Sequence, residues 1–363
     1  MKKNKMYTIL TLLVSIFALT GCYTEGATEE NPNDTGDADV YVVGWEDFYI
    51  GGKSWSEAKY WKNGKEISLE ASKDAQAIKI AVSGNDVYIL GGTVDDGLGY
   101  WKNGKWTKLA DSVNLNHLFV SGSDVYFAGD LRNANDNHIV AYKNGVNNRI
   151  FYSEKTDSYG FENDIFVSGN DIYVTGQLFE YGVGSHAVVW KNGVPIMLND
   201  PTDDSKTSIY DPIASCIYVA GTDVYVAGRA GLTTLMVWKN GKILYQIDAD
   251  LIKWDTEEIR PNSIYVLNGD IYVGIEDNGA KGLRYWKNGK EVIISTSELL
   301  TNNKIFIAGS DVYWSGWIRT TYLGGSWGDS YESDACYWKN GKIVYLTNGA
   351  WGAGAVDVVV VPK

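Results

Sequence analysis

Short runs of alternating apolar and polar residues follow one another from residue 39 to the end of the chain, and no segment sustains a helical period. The clearest unit contains four such runs: Ile78–Ser83, Val87–Gly91, Gly99–Lys102 and Lys105–Leu109. Gly84-Asn85 joins the first pair and Asn103-Gly104 the second. Asn-Gly between β-forming residues is a strong hairpin signal, because a type I′ turn requires positive φ at both central positions. The pattern predicts a four-stranded antiparallel sheet.

This unit recurs along the chain. The tetrad Trp-Lys-Asn-Gly, or Tyr-Lys-Asn-Gly in one copy, begins at Trp61, Trp101, Tyr142, Trp190, Trp238, Trp286 and Trp338, with spacings of 40 to 52 residues. A second motif, Asp-(Val/Ile)-Tyr, accompanies each tetrad and begins at Asp39, Asp86, Asp124, Asp171, Asp223, Asp270 and Asp311. Four strands in every ~40–50 residues are typical of propeller blades. We therefore predict an all-β fold, a seven-bladed β-propeller over residues 39–363, in which the repeated motifs are structural.

The two ends of the repeat predict how the propeller closes. The first unit begins at Asp39 with its second strand, and the chain finishes with a single strand at Ala355–Val361. The C-terminal strand should complete blade 1, because a closed propeller then leaves no sheet edge open. The unbroken valines at Val358–Val361 suit an inner strand covered on both faces.

The first residues indicate export. Lys2, Lys3 and Lys5 precede an apolar run at residues 6–19, which is shorter than the roughly 20 residues that a membrane-spanning helix needs. This arrangement predicts a signal peptide. The sequence Leu19-Thr20-Gly21-Cys22 resembles the lipobox of bacterial lipoproteins, and the resemblance implies cleavage before Cys22 and lipidation of that cysteine. An ordinary secretory peptide with a chance cysteine is the alternative.

The predicted domain order is therefore a signal peptide at residues 1–22, a flexible acidic tether at residues 23–38 and the propeller. The tether is polar, so it buries too little apolar surface to order itself. We expect a monomer anchored by its lipid in the bacterial cell envelope, at the outer membrane or the cell surface.

The net charge of the predicted mature chain limits the classes of partner that it can bind. Removing residues 1–22 removes three lysines and no acid, which leaves 29 Lys and Arg against 45 Asp and Glu, a formal charge of −16. Such a surface repels nucleic acid and anionic headgroups, so we expect no nucleic-acid partner and membrane contact only through the lipid. Cys216 and Cys336 fall in blades 5 and 7, too far apart for a disulfide, and are predicted free.

One motif of the repeat is weakly similar to the repeat of a known propeller family. The pattern Asp-Val-Tyr-x-x-Gly is weakly similar to the kelch repeat, most clearly at residues 86–92, but the other units lack its second glycine. Lipobox and repeat together resemble the lipoprotein propellers of bacterial cell surfaces, and this resemblance implies no single activity.

No motif predicts a catalytic centre, a cofactor or a metal. Residues 324–328 match the nucleophile elbow Gly-x-Ser-x-Gly, but that motif requires a strand-to-helix turn. His138 and His186 share one repeat position in neighbouring blades, and no third ligand accompanies them. The sequence does not decide whether the chain is an enzyme, and it favours a non-enzymatic role.

The distribution of aromatic residues outside the repeat marks a candidate binding surface. Nine of them fall in three connections that closure brings together at blades 7 and 1: Trp45, Phe48, Tyr49, Trp55, Trp317, Tyr322, Trp327, Tyr331 and Trp351. We expect these connections to be loops that present an aromatic platform. Nearby acidic residues offer acceptors for sugar hydroxyls: Glu46, Asp47, Glu57, Asp329 and Glu332. The alternative is a small core buried under the loops.

Alignment of the first strands marks a second candidate site. One position of each strand, at the expected mouth of the channel on the face with the variable loops, carries Lys79, His117, Asp164, Cys216, Ser263, Lys304 and Asp357. These residues either solvate a wet channel or form a binding or acid–base site, with His117 beside Asp164 and Lys304 beside Asp357.

Three functional hypotheses follow. The first is an envelope lipoprotein that binds a ligand, with a glycan favoured, on the aromatic surface of blades 7 and 1. The second is a scaffold that docks another envelope protein through the same face. The third is a hydrolase or lyase that uses the channel mouth.

Overall fold

The computed structural model describes residues 38–109, 114–133, 136–145, 149–152, 158–180, 184–198, 212–231, 233–248, 259–275, 283–294, 300–323, 330–348 and 351–363. The predicted signal peptide, Cys22 and residues 23–37 of the predicted tether lie outside this range. Ala38, assigned above to the tether, is the first residue of the first strand. Within the described segments, no helix is long and apolar enough to cross a membrane.

The described chain forms seven four-stranded antiparallel sheets, each the blade of a β-propeller. The strands, in chain order, are β1 Ala38–Ile50, β2 Lys53–Lys62, β3 Lys65–Glu66, β4 Ala75–Ser83, β5 Asp86–Thr93, β6 Gly97–Lys102, β7 Lys105–Lys108, β8 Asn114–Ser121, β9 Asp124–Asn133, β10 Asp136–Lys143, β11 Arg149–Tyr152, β12 Ser158–Ser168, β13 Asp171–Glu180, β14 Gly184–Lys191, β15 Val194–Met197, β16 Ile213–Ala220, β17 Asp223–Ala230, β18 Thr234–Lys239, β19 Lys242–Asp248, β20 Pro261–Leu267, β21 Asp270–Ile275, β22 Arg284–Lys287, β23 Lys290–Ile293, β24 Leu300–Ala308, β25 Asp311–Leu323, β26 Ser330–Lys339, β27 Lys342–Tyr345 and β28 Gly352–Pro362.

The C-terminal strand closes the propeller as predicted. Blade 1 has the order β28-β1-β2-β3, so its innermost strand comes from the end of the chain. Val42 pairs with Val358 in this antiparallel ladder, and Val358 is fully buried. The remaining blades are formed by β4–β7, β8–β11, β12–β15, β16–β19, β20–β23 and β24–β27.

Apolar clusters between neighbouring blades form the core. One cluster lies at each of the seven blade interfaces of the described chain. The aromatic residue that begins each tetrad is buried in such a cluster, as Trp61 and Trp101 show at 1% and 0% exposure. Burial of each indole contributes roughly 3–5 kcal/mol, the usual cost of truncating such a side chain.

The repeated Asp, Lys and Asn residues connect the two tight turns of each blade through a hydrogen bond and an ion pair. In blade 2, Asn103 has φ of 51°, as a type I′ turn requires, and its Nδ2 donates to Asp86 Oδ1 at 2.8 Å. Lys102 Nζ lies 2.8 Å from Asp86 Oδ2 and 5.1 Å from the centroid of the Tyr88 ring. All seven blades repeat this arrangement. The motif that repeats most strictly in the sequence is therefore structural.

Each innermost strand carries a β-bulge at the same position. The register shifts between Ala77 and Lys79 in blade 2, and the equivalent shift occurs in the other six blades. A bulge inserts one extra residue and redirects the side chain that follows it. The bulges therefore set the direction of one side chain per blade beside the central channel.

Candidate functional site

The aromatic residues of blade 1 lie on strands, which corrects the loop prediction. β1 runs three residues beyond its last pair with β28, Asp47–Gly352, and is joined to β2 by the two-residue turn Gly51-Gly52. Gly51 and Gly52 have φ of 60° and 80°, the left-handed values that such a turn demands. β25 and β26 of blade 7 are extended in the same way. The β1–β2 hairpin of blade 1 and the β25–β26 hairpin of blade 7 therefore occupy positions where loops were expected.

Strand alternation divides the predicted platform between two faces of the β1–β2 hairpin, because consecutive side chains of a strand point to opposite faces. Phe48 pairs directly with Trp55, and their rings stack at 5.4 Å. Lys59 Nζ lies 4.9 Å from the Phe48 ring, and Lys73 Nζ lies 4.9 Å from the Trp55 ring. These two aromatic rings are held between cations on the face toward blade 2. Tyr49 belongs to the opposite face, toward blade 7.

Trp45 and Trp317 pack over the closing strand. A Cβ added at Gly354 would lie 3.0 Å from Trp45 Nε1 and 3.2 Å from Trp317 Cε3. Only glycine lets the two indoles approach the β28 backbone this closely. Both side chains are partly buried and secure blade 7 against blade 1. For this pair, the structure favours the packing alternative over the exposed platform.

The remaining described aromatic residues form one exposed pair. The rings of Tyr49 and Trp351 lie 5.4 Å apart at an angle of 53°, and the residues are 53% and 54% exposed. They border a groove of about 650 Å³, which we call the hairpin groove, lined by Asp47, Phe48, Tyr49, Ser54, Trp55, Ser56 and Trp351. An exposed aromatic pair beside a groove is typical of an interaction surface.

Polar atoms lie in the same groove. The hydroxyl of Ser56 donates to Asp47 Oδ1. Asp47 Oδ2 has no hydrogen-bond partner among the described residues and faces the backbone at Gly352. Ser54 is exposed on the adjoining strand. The groove therefore combines two flat apolar rings with one free acceptor and one free hydroxyl.

Three predicted members of the platform lie wholly or partly outside the described residues. Trp327 lies outside the described residues. The strand backbone of Tyr322 and Tyr331 is described and pairs the two residues across the β25–β26 hairpin, but their side chains lie outside the described part.

The second candidate site lies inside the channel. We call Lys79, His117, Asp164, Cys216, Ser263, Lys304 and Asp357 the polar tier. Each residue directly follows the bulge of its strand, and none begins its strand: β12 begins at Ser158, six residues before Asp164, whereas β20 begins at Pro261, two residues before Ser263. The expectation that these residues begin the inner strands is corrected, because the strands extend further toward the variable face than the apolar pattern indicated.

Hydrogen bonds join the polar tier across neighbouring blades. Asp357 Oδ2 accepts the backbone N–H of Ile80 at 3.1 Å, and Asp357 Oδ1 lies 3.1 Å from Lys304 Nζ. Asp164 Oδ2 accepts the backbone N–H of Ile217 at 3.1 Å in the same manner. Three of the side chains remain in contact with water, with exposures of 34% for Asp164, 23% for Lys304 and 13% for His117. Water therefore enters the channel down to this level.

His117 and Asp164 are neighbours but do not form an acid–base pair in this arrangement. Their Nδ1 and Oδ1 atoms are 4.0 Å apart, beyond hydrogen-bond reach. Burial, together with the charges of Lys79 and Lys304, lowers the pKa of His117 to about 3. The imidazole is therefore neutral at physiological pH. Burial also raises the pKa of Asp164 above its ordinary value.

Lys79 differs from the other lysines of the channel and the repeat. It is half-buried on β4, and no described residue forms a hydrogen bond or an ion pair with it. Burial and then the charge of Lys304 lower the pKa of Lys79. Lys304 shows the opposite behaviour: burial alone would lower its pKa, but Asp357, Tyr265 and Asp164 outweigh burial and raise it.

A row of aromatic rings beneath the polar tier escaped the sequence analysis. Two residues further along five inner strands stand Phe119, Phe166, Tyr218, Tyr265 and Phe306, which we call the aromatic arc. Successive ring centroids are 4.7, 5.3, 5.9 and 5.1 Å apart. Period-two spacing places the arc on the same side of each strand as the tier. Extending the strand alignment by two positions would have revealed it.

Comparisons with known proteins add little beyond the fold. No protein-family model and no curated protein matches the chain. It is similar to the β-propeller domain of Cps50 (Swd1) from Myceliophteria thermophila, at 12% identity and a TM-score of 0.44, over 74% of this chain and 94% of that chain. It is also similar to apo AztD from Citrobacter koseri, at 10% identity and a TM-score of 0.38, over 89% and 98% of the two chains. Similarities at this level concern the fold alone. A β-propeller fits a binding or scaffold module in general.

Proposed function

We propose that the chain is an envelope lipoprotein whose propeller binds a neutral glycan in the hairpin groove. The observation that carries this proposal is the exposed ring pair of Tyr49 and Trp351 beside the free carboxylate oxygen of Asp47. Flat aromatic faces cover the apolar faces of sugars, and a carboxylate accepts hydrogen bonds from hydroxyl groups.

Charge favours a neutral glycan over an acidic one. The carboxylates of Glu46 and Glu57 lie near the groove, and both contact Lys59. Asp47 retains an unpaired oxygen within the groove itself. The mature chain, with 29 basic against 45 acidic side chains, is strongly negative. Uronic acids and sulfated sugars would meet repulsion from this surface.

A glycan array tests the ligand class. We expect the wild-type chain to bind neutral oligosaccharides and Tyr49→Ala to lose that signal. Val194→Ala, which removes an equally exposed side chain from the outer edge of blade 4, is the matched control and should bind like the wild type. A blank array, together with capture of an envelope protein that Tyr49→Ala abolishes, would favour the scaffold hypothesis instead.

We propose a lipid anchor at Cys22 because the residues around it resemble a lipobox. Metabolic labelling with a fatty-acid analogue should mark the wild-type chain, and Cys22→Ser should abolish the label. Cys216→Ser is the control, because that thiol is buried between blades and its loss should leave the label intact. A label that persists on Cys22→Ser would refute the anchor without bearing on the groove.

A further inference from the structure

The polar tier contains one amine without a partner. Lys79 is half-buried in the wall of the channel and forms no hydrogen bond or ion pair with any described residue. A buried cation is normally paired, because an unpaired one is costly. Lys59, which is 6% exposed, follows that rule, since its Nζ lies 3.1 to 3.3 Å from carboxylate oxygens of Glu46, Glu57 and Glu66.

The surroundings of Lys79 lower the pKa of its amine and so increase the neutral fraction. Its position in the tier is two blades from Lys304 and next to Asp357 in blade 1. Asp357 is already satisfied by Lys304 Nζ and by two backbone N–H groups, those of Ile80 and Val358. Desolvation and a neighbouring cation are the two means by which proteins activate a lysine as a nucleophile. The lowered pKa of Lys79 has these two causes, burial first and Lys304 second.

We propose that Lys79 is the reactive amine of a channel site that takes a small aldehyde with an apolar tail. Water reaches the tier, as the 34% exposure of the Asp164 side chain shows, so a small solute has a route to it. The aromatic arc begins in the neighbouring blade 3 with Phe119, two residues beyond His117, and offers an apolar surface for the tail. This site is independent of the hairpin groove.

The chemistry balances without any further reactant. The Nζ lone pair of Lys79 attacks the carbonyl carbon, a C=N bond replaces the C=O bond, and the carbonyl oxygen leaves as water with the two hydrogens of the amine. Channel water can carry those protons from nitrogen to oxygen. The product is a Schiff base, which hydrolysis reverses.

Reductive trapping with butyraldehyde and sodium cyanoborohydride at pH 7, read by peptide mass spectrometry, tests this site on the purified full chain. We expect Lys79 to be alkylated at least tenfold faster than Lys102, because a difference of about one pKa unit changes the neutral fraction tenfold. Lys102 is the control in the same blade, and its bond to Asp86 raises its pKa. The rate at Lys79 should saturate with butyraldehyde concentration, since binding precedes the reaction.

Two variants separate activation from simple accessibility. Lys304→Arg keeps the neighbouring charge and should leave the rate at Lys79 unchanged. Lys304→Gln removes that charge and should slow the rate by about threefold or more, which corresponds to half a pKa unit. Alkylation of Lys79 no faster than that of Lys102 in the wild type would overturn the proposal, and so would a rate linear in aldehyde. Trp351→Ala should not alter the rate at which Lys79 is alkylated. A negative result in this experiment would therefore leave the glycan proposal unaffected, and a negative glycan result would leave this proposal unaffected.

Discussion

The carboxylate of Asp357 on the last strand accepts the backbone N–H of Ile80 in blade 2 at 3.1 Å. Asp357 is fully buried and also holds Lys304 of blade 7 at 3.1 Å. One side chain therefore ties together three consecutive blades at the point where the first and last strands of the propeller meet. Closure thus depends on a buried charge as well as on strand pairing.

Replacing this carboxylate should be costly. We expect Asp357→Ala to lower the free energy of unfolding by about 3–5 kcal/mol, because it leaves the Lys304 ammonium unpaired and the Ile80 N–H without an acceptor. Asp95→Ala, an exposed aspartate of blade 2, is the control and should change stability by less than about 0.5 kcal/mol. Urea denaturation of both variants provides the comparison, and equal losses would show that the buried bonds contribute nothing.

Removing the last strand should have a larger effect. Deletion of Val356 to Lys363 strips β1 of its inner partner and opens blade 1, so we expect loss of the cooperative thermal transition and of the sheet signal in circular dichroism. Deletion of Lys363 alone removes only a surface residue beyond the strand and should leave the transition in place. A full-length melting temperature in the longer deletion would contradict closure by β28.

The fold could be predicted because its signals are local and repeated. Asn-Gly turns, the Asp-(Val/Ile)-Tyr motif and the unpaired final strand together define the number of blades and their closure. The β1–β2 hairpin was missed, although Gly51-Gly52 is a recognised two-residue turn signal. Its aromatic residues suggested a binding loop instead. Strand alternation then decides which rings lie together, and it separates Phe48 from Tyr49.

The channel could be predicted only in part. Alignment of the inner strands identified all seven members of the polar tier, but not their depth. A bulge leaves no reliable mark in a single unit, because the extra residue is Ile78 in blade 2 and Asn163 in blade 4. Nor could the sequence supply the distance from His117 to Asp164, which depends on how the blades are arranged around the channel.

His117 should make stability depend on pH. Its pKa is about 3 in the folded chain and about 6.5 in the unfolded one, so the unfolded state takes up the proton first as the pH falls. The stabilisation is complete above pH 6.5 and is lost between about pH 6.5 and 3, with a slope of up to about 1.4 kcal/mol per pH unit.

Substitution isolates this contribution. His117→Asn carries no titrating ring, so its free energy of unfolding should vary less between pH 6.5 and 4.5 than that of the wild type. His117→Gln, which also lacks a titrating ring, should show the same reduced slope as His117→Asn. Identical slopes for His117→Asn and the wild type would place the pH dependence elsewhere.

The groove proposal depends on two tryptophans with opposite roles. Trp351 is 54% exposed beside Tyr49, whereas Trp45 is partly buried against Gly354 of the closing strand. Truncation of the exposed ring should affect binding, and truncation of the packed ring should affect stability.

Calorimetric titration of the tightest array glycan into Trp351→Ala and Trp45→Ala, with a thermal melt of each, is therefore the most direct measurement. We predict that Trp351→Ala weakens binding by about 2 kcal/mol, roughly thirtyfold, and keeps the wild-type melting temperature. Trp45→Ala should lower the melting temperature through a loss of about 3 kcal/mol. Wild-type affinity in Trp351→Ala together with a lowered melting temperature would contradict the glycan groove.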